Sequence, residues 1–322
     1  MRILPGLLSL LLFAAALPPV QKRGDLLVSL SGEHRIVVID SASGTEAASF
    51  PAALGPHEIA LSGNRRFASV ANSGSGPGGK PGDTITVIDL QSHQVRQLKT
   101  DPHRQPHDVR VSRDGKLIWI AVAPSKAVLE MDATTGEIKR AFATERDGGW
   151  FVVVTPDNAR LYVPLLEGRA LTVIDRASTV VRVLISGGAF SGAEVSPDGR
   201  ELWAIEHEQR QIHIVSTATD TVTAKVPLAS DGFGRLQFTP DGRRVLVVQG
   251  SRVFAFDADT RRPAGVVELP GAGKVLAVTP DGLRAAVSHP SENNVSIIDL
   301  CAMRVRETVA VGATPDGMAW VR

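Results

Sequence analysis

Short runs of alternating apolar and polar residues recur along the chain and close on the same kind of residue. Asp40, Asp89, Asp132, Asp175, Ser216, Asp257 and Asp299 each end such a run, at a spacing of about 42 residues broken once, and a fixed period of that size marks a repeated supersecondary unit. Turn signals stand roughly 25 residues ahead of six of these closings: Ser62-Gly63-Asn64, Arg113-Asp114-Gly115, Pro156-Asp157-Asn158, Pro197-Asp198-Gly199, Pro240-Asp241-Gly242 and Pro280-Asp281-Gly282. Asp-Gly and Asp-Asn favour the left-handed backbone of tight hairpins, so these predict strand-to-strand turns. Two alternating segments lie between a turn and its closing residue, as in Arg200 to Ile205 and Gln211 to Val215. One precedes the turn, as in Ala193 to Ser196, and one follows the closing residue, as in Thr221 to Val226.

Four short antiparallel strands per unit, seven times over, predict an all-β fold: a seven-bladed β-propeller. The ends predict how the ring closes. Leu26 to Ser31 and Arg35 to Asp40 correspond to second and third strands with no first strand ahead of them. At the other terminus, the segment Pro315 to Trp320 matches the first-strand segments Pro56 to Leu61 and Pro106 to Val111. The C-terminal strand is therefore expected to complete the N-terminal blade and remove the free sheet edge. In that register Pro315-Asp316-Gly317 belongs to a strand and is not a seventh turn.

Leu161-Tyr162-Val163, Val70-Ala71-Asn72, the segment Thr84 to Asp89 and the repeated (S/T)-P-D-G resemble the YVTN-type β-propeller repeat of bacterial secreted proteins. The resemblance covers residues 24–322, expected to be a single propeller domain. It implies the fold more than an activity, because propellers carry unrelated functions. Relatives of this type include lactonase-like propellers and propellers associated with quinoproteins.

Residues 1–20 read as a secretory signal peptide: Arg2, an apolar stretch from Ile3 to Leu17 and the small residues Ala14 to Ala16, with the cut expected near Ala16. That stretch is shorter than the roughly 20 residues a span needs, so no membrane span is expected in the mature chain. Periplasmic or secreted localisation follows. The single cysteine, Cys301, excludes an intramolecular disulfide and a thiolate metal cluster, and is read as a small apolar packing residue at a turn. The net charge of +1 from 35 basic and 34 acidic residues gives no global signal for nucleic acid. A monomer is expected.

Alternating strand residues in a propeller are consumed by packing between blades, so chemistry is expected at the loops of one channel mouth. Aligned on the turns, the first strands put His57, His107, Trp150, Ser191, Gly234, Lys274 and Asp316 in one ring. Glu58, Asp108, Phe151, Gly192, Arg235, Val275 and Gly317 form the next. The ends of the second strands add Asn72, Glu206, Gln249 and His289, with His207 beside them. From these, His57, Glu58, His107, Asp108, Trp150, Glu206, His207, Lys274 and His289 are the ligand-binding candidates.

Pro56-His57-Glu58 and Pro106-His107-Asp108 are near duplicates on adjacent blades. Two imidazoles there could share a ligand or a metal ion, each oriented by its neighbouring carboxylate. Equally, Pro-His could be a consensus way of leading the chain into a first strand. Residues 73–82 insert extra length at the same mouth. Gly74 to Lys80 fits G-x-x-x-x-G-K, but Pro81 replaces the required hydroxyl and a strand follows instead of a helix, which excludes a phosphate loop. A flap over the channel or a partner contact is expected there instead. No G-x-S-x-G elbow occurs, no cofactor is predicted, and no nucleophile, base and orienter can be assigned together. The sequence therefore favours a binding or scaffold protein recognising a protein partner or small molecule at the channel mouth. Two alternatives stay open: a lactonase-like hydrolase, and an accessory or electron-transfer partner of a periplasmic quinoprotein dehydrogenase.

Overall fold

The computed structural model describes residues 24–321 except 77, 230 and 231; the apolar leader, residues 1–20, lies outside the described residues. Seven four-stranded antiparallel sheets form the fold, and their first strands meet around a central channel. Six of these strands are β4 (Pro56–Leu61), β8 (Asp108–Val111), β12 (Val153–Val154), β16 (Phe190–Val195), β20 (Gly234–Phe238) and β24 (Leu276–Val278). The seventh is β28 (Pro315–Trp320), which pairs with β1 (Asp25–Leu30) through Leu26↔Trp320 and Val28↔Met318. Ring closure by the C-terminal strand is thus as the sequence predicts.

The repeated letters have local causes. In the turn Ser112-Arg113-Asp114-Gly115 the Ser112 hydroxyl donates to Asp114 Oδ1 at 2.6 Å and accepts the Leu117 N–H at 2.9 Å. The same pair of bonds recurs at Thr155, Ser196, Thr239 and Thr279, with Asn64 replacing the aspartate in the Ser62 turn. The fourth turn position is left-handed in all six, which is why it is Gly115, Gly199, Gly242 or Gly282, or Asn158, with Arg65 the exception in type. The strand-closing aspartates accept backbone N–H groups two or three residues on, as Asp40 does from Ala42 and Ser43 and Asp299 from Cys301 and Ala302. Each is an Asx turn that starts the return to the outer strand.

Seven apolar clusters fill the seven gaps between blades. Strand alternation divides each sheet between its two neighbours: Leu26 and Val28 pack with Val275 and Val295 on one side, Leu27 with Ile59 and Val70 on the other. Two expectations change. Cys301 sits at a turn but is exposed, not packed; the closing aspartate holds its backbone on the surface. The insertion at residues 73–82 prolongs a hairpin, because Gly74 of β5 (Phe67–Gly74) pairs with Pro81 of β6 (Pro81–Asp89). Its Ser73 hydroxyl donates to the Pro106 carbonyl at 2.6 Å, tying its base to the segment that leads into β8. Among the described residues no helix is long and apolar enough to cross a membrane.

Candidate functional site

First strands bring their leading residues to one end of the channel. His57 comes from β4 and His107 from the residue before β8, and their rings stand 4.0 Å apart, tilted by 43°. His107 Nδ1 lies 3.1 Å from the Trp150 carbonyl, which makes Nδ1–H the donor, and the ring packs edge-on against Trp150 and Phe151. His57 Nε2 lies 3.1 Å from Asp316 Oδ2, and the same oxygen takes the Lys274 ammonium at 2.7 Å. Five blades thus contribute to one cluster, with Lys274 its most exposed member and Asp316 buried.

Electrostatics keep both imidazoles neutral. Burial holds His57 below the ordinary imidazole value, with Lys274 and Arg235 pushing the same way against Asp316 and Glu58. Burial depresses His107 further, helped by His57, Arg235 and Lys274. Burial alone would raise Asp316, but His57 and Lys274 outweigh it and hold the carboxyl below its usual range. With His57 neutral at pH 7, the Lys274 ammonium, helped by Arg235, keeps Asp316 ionised. His57 Nδ1 and Asp316 Oδ1 remain buried without a hydrogen-bond partner among the described residues, a costly arrangement unless something else satisfies them.

The next layer down is self-paired. Arg235 donates to Glu58 at 2.8 Å and lies over the Phe151 ring at 3.4 Å. Asp108 accepts the Val152 N–H at 3.0 Å from the neighbouring blade and the Arg110 guanidinium at 2.9 Å; burial still pushes its carboxyl up to about 6, with Arg110 opposing. Gly317 is forced by this layer, since a Cβ there would stand 2.3 Å from the His57 carbonyl. Beyond the layer the channel holds a cavity of ≈ 380 Å³.

His57, Glu58, His107, Asp108, Trp150 and Lys274 therefore come together, and Glu206, His207 and His289 stay apart from them. Glu206 accepts from His213 at 2.8 Å and from Gln211 at 2.7 Å inside its own blade. His289 is fully buried between the Ala272 carbonyl and the Ser296 hydroxyl. His207 stacks on Phe233 at 5.1 Å. The reason is position: a second strand has sheet on both sides, so a polar residue at its end is enclosed and must pair within the blade. Asp316, Arg235 and Phe151 join the site although only the ring alignment pointed to them.

For a metal, donor atoms of His57, Glu58 and Asp316 lie within 4.8 Å of one another, and a divalent ion would have to draw them in to bonds of about 2.0–2.2 Å. Both carboxylates already face a protein cation, Arg235 and Lys274. The trio is thus balanced in charge by the chain itself.

No protein-family model matches the sequence, and no curated protein matches it in sequence. Solved structures do match in shape. Hydrazine synthase of Kuenenia stuttgartiensis is similar with a TM-score of 0.74 at 19% identity, covering 91% of this chain and 99% of that one. A functionally unknown protein from Desulfotomaculum acetoxidans gives 0.76 at 13% identity, covering 93% and 99%. The β-propeller domain of Cps50 (Swd1) from Myceliophteria thermophila gives 0.68 at 16% identity, covering 80% and 87%. Identities this low carry the fold and nothing finer, and on that footing the chain is a seven-bladed β-propeller.

Proposed function

We propose that this protein is an exported propeller of the YVTN type that binds a small molecule or protein partner at the His57–His107 mouth and catalyses nothing itself. One observation carries the reading: five blades deliver His57, His107, Trp150, Lys274 and Asp316 to a single point, while His57 Nδ1 and Asp316 Oδ1 are buried there without hydrogen-bond partners among the described residues. Self-contained packing does not require such convergence. Trp150 and Lys274 offer a ligand an aromatic face and an ammonium from the solvent side.

A hydrolytic reading has the Asp316–His57 pair in its favour, an acid orienting a base. The free nitrogen of that imidazole is enclosed, 3.9 Å from Glu58, and no nucleophile, base and orienter can be assigned together, which favours binding. Export rests on Arg2 and the Ile3 to Leu17 stretch; mass spectrometry of the native protein should find an N-terminus near Leu17, and intact Met1 would refute export.

The test of the mouth is ligand-observed NMR against a metabolite panel, with the parent protein and the Trp150→Ala/Lys274→Ala double variant. Compounds that bind the parent should lose at least about tenfold in affinity on the variant, with circular dichroism melting used to confirm that the variant, in which buried Asp316 has lost its ammonium, is still folded. Undiminished binding to the variant would remove the mouth as the site.

A further inference from the structure

The cavity in the channel is a compartment separate from the mouth. Its walls include Ser62 and Gly63, in the turn after β4, and none of His57, His107, Trp150 or Lys274. It therefore reaches toward the opposite, turn-bearing end, with the Glu58 and Phe151 layer separating it from the imidazoles.

Its polar groups are unevenly satisfied. Arg235 is paired with Glu58 and stacked on Phe151. Arg110 is tied through Nη1 to Asp108, but its Nη2 stands 3.9 Å from Glu194 Oε2, beyond hydrogen-bond reach. Glu194 has no closer cation among the described residues and keeps 31% of its side-chain surface open to the cavity. Gln237 spends its carbonyl oxygen on the Val278 N–H, which leaves its amide N–H groups to donate. An incomplete acid, an incomplete base and a free amide donor thus face one space.

We propose that this cavity binds a small zwitterion of the α-amino acid type, its ammonium on Glu194 and its carboxylate on Arg110 and Gln237. A pure cation would meet Arg65, Arg110 and Arg235, and a pure anion would meet Glu58 and Glu194, so either alone gains on one wall and loses on the other. A molecule that carries both charged groups on one carbon suits an acid and a base held just out of contact. The guanidinium offers a carboxylate a donor of matching geometry. The volume, ≈ 380 Å³, lies at the small end of ligand pockets, about 300–1,000 Å³. Burial pushes the Glu194 carboxyl up to about 7, Arg110 opposing and Asp108 adding, as befits an acid short of a partner. The inference is independent of the mouth reading, since the two sites share no side chain that would touch ligand.

Isothermal titration of the purified protein with the proteinogenic L-amino acids, one at a time, tests it. At least one should bind saturably, and its N-acetyl derivative and its decarboxylated amine should each bind at least about tenfold more weakly. Glu194→Gln should weaken binding by at least about tenfold, and Ala60→Phe, which fills the cavity from β4, should abolish it; circular dichroism melting shows which variants are folded. The proposal is overturned if no amino acid gives saturable heat up to about 10 mM, if the acetylated or decarboxylated form binds as well as the parent compound, or if every folded variant binds undiminished.

Discussion

Trp320→Ala tests the closure of the ring. Trp320 is 2% exposed in the cluster joining the first and last blades, with Leu26, Val28, Val275 and Ala277 among its neighbours. Truncating a buried tryptophan to alanine costs about 3–5 kcal/mol. Its Nε1–H donates to the Ala277 carbonyl at 2.9 Å, and leaving that buried acceptor without its donor adds about 1 kcal/mol. The Arg284 guanidinium stands 5.4 Å from the ring centroid, a cation–π contact worth about 0.5–1 kcal/mol. The sum is about 4.5–7 kcal/mol, comparable to the whole stability of a weak domain, which is about 5 kcal/mol. In urea, with a slope near 3 kcal/mol per molar, the unfolding midpoint should fall by about 1.5–2.3 M. Trp150→Ala is the comparison, because that indole sits half-buried at the mouth and bonds Glu167; its midpoint should move much less. A Trp320→Ala shift under about 0.3 M, near 1 kcal/mol on the same slope, would show that the seam is not held by the C-terminal strand's packing.

Two further outcomes are expected. Burial holds His57 and His107 below the ordinary value of 6.5, so as pH falls through 6.5 the unfolded chain takes up more protons than the folded one and stability declines. Glu194 and Asp108, pushed up to about 7 and about 6, act in the opposite sense, their contribution declining as pH rises from their ordinary carboxyl values toward those limits. Imidazole NMR should find both histidines titrating below 6.5, and a midpoint at or above 6.5 for either would refute the burial argument. Cys301, the one cysteine and an exposed one, should take up one equivalent of maleimide in the native protein; labelling only in denaturant would contradict its placement.

The fold was legible because its causes are local. The hydroxyl of each Ser/Thr-led turn and the carboxylate of each closing aspartate make bonds within five residues, so the repeat survives as letters. His57 and His107 were legible for the same reason, each following proline at an equivalent register. Pairings across the ring were not. Asp316 meets His57 and Lys274 from strands remote in sequence, and its Pro-Asp-Gly setting is spelled like the turns. Glu206 and His289 were drawn toward the mouth by register alone, although Glu206 bonds His213 and His289 bonds Ser296, on the strand paired beside each. Cys301 was misjudged because its apolar character weighed more than the Asx turn holding it outside.

Pairing β1 with β28 has a bearing on biogenesis. The first blade takes its inner strand from β28, which follows all the other strands in sequence, so until β28 is made the ring holds a gap. In that interval the sheet edge of β1 and the flank of the last blade are both bare, as incomplete intermediates of larger domains generally are. A ring that locks only when β28 docks makes closure one discrete event, which unites the two ends of the propeller in a single sheet.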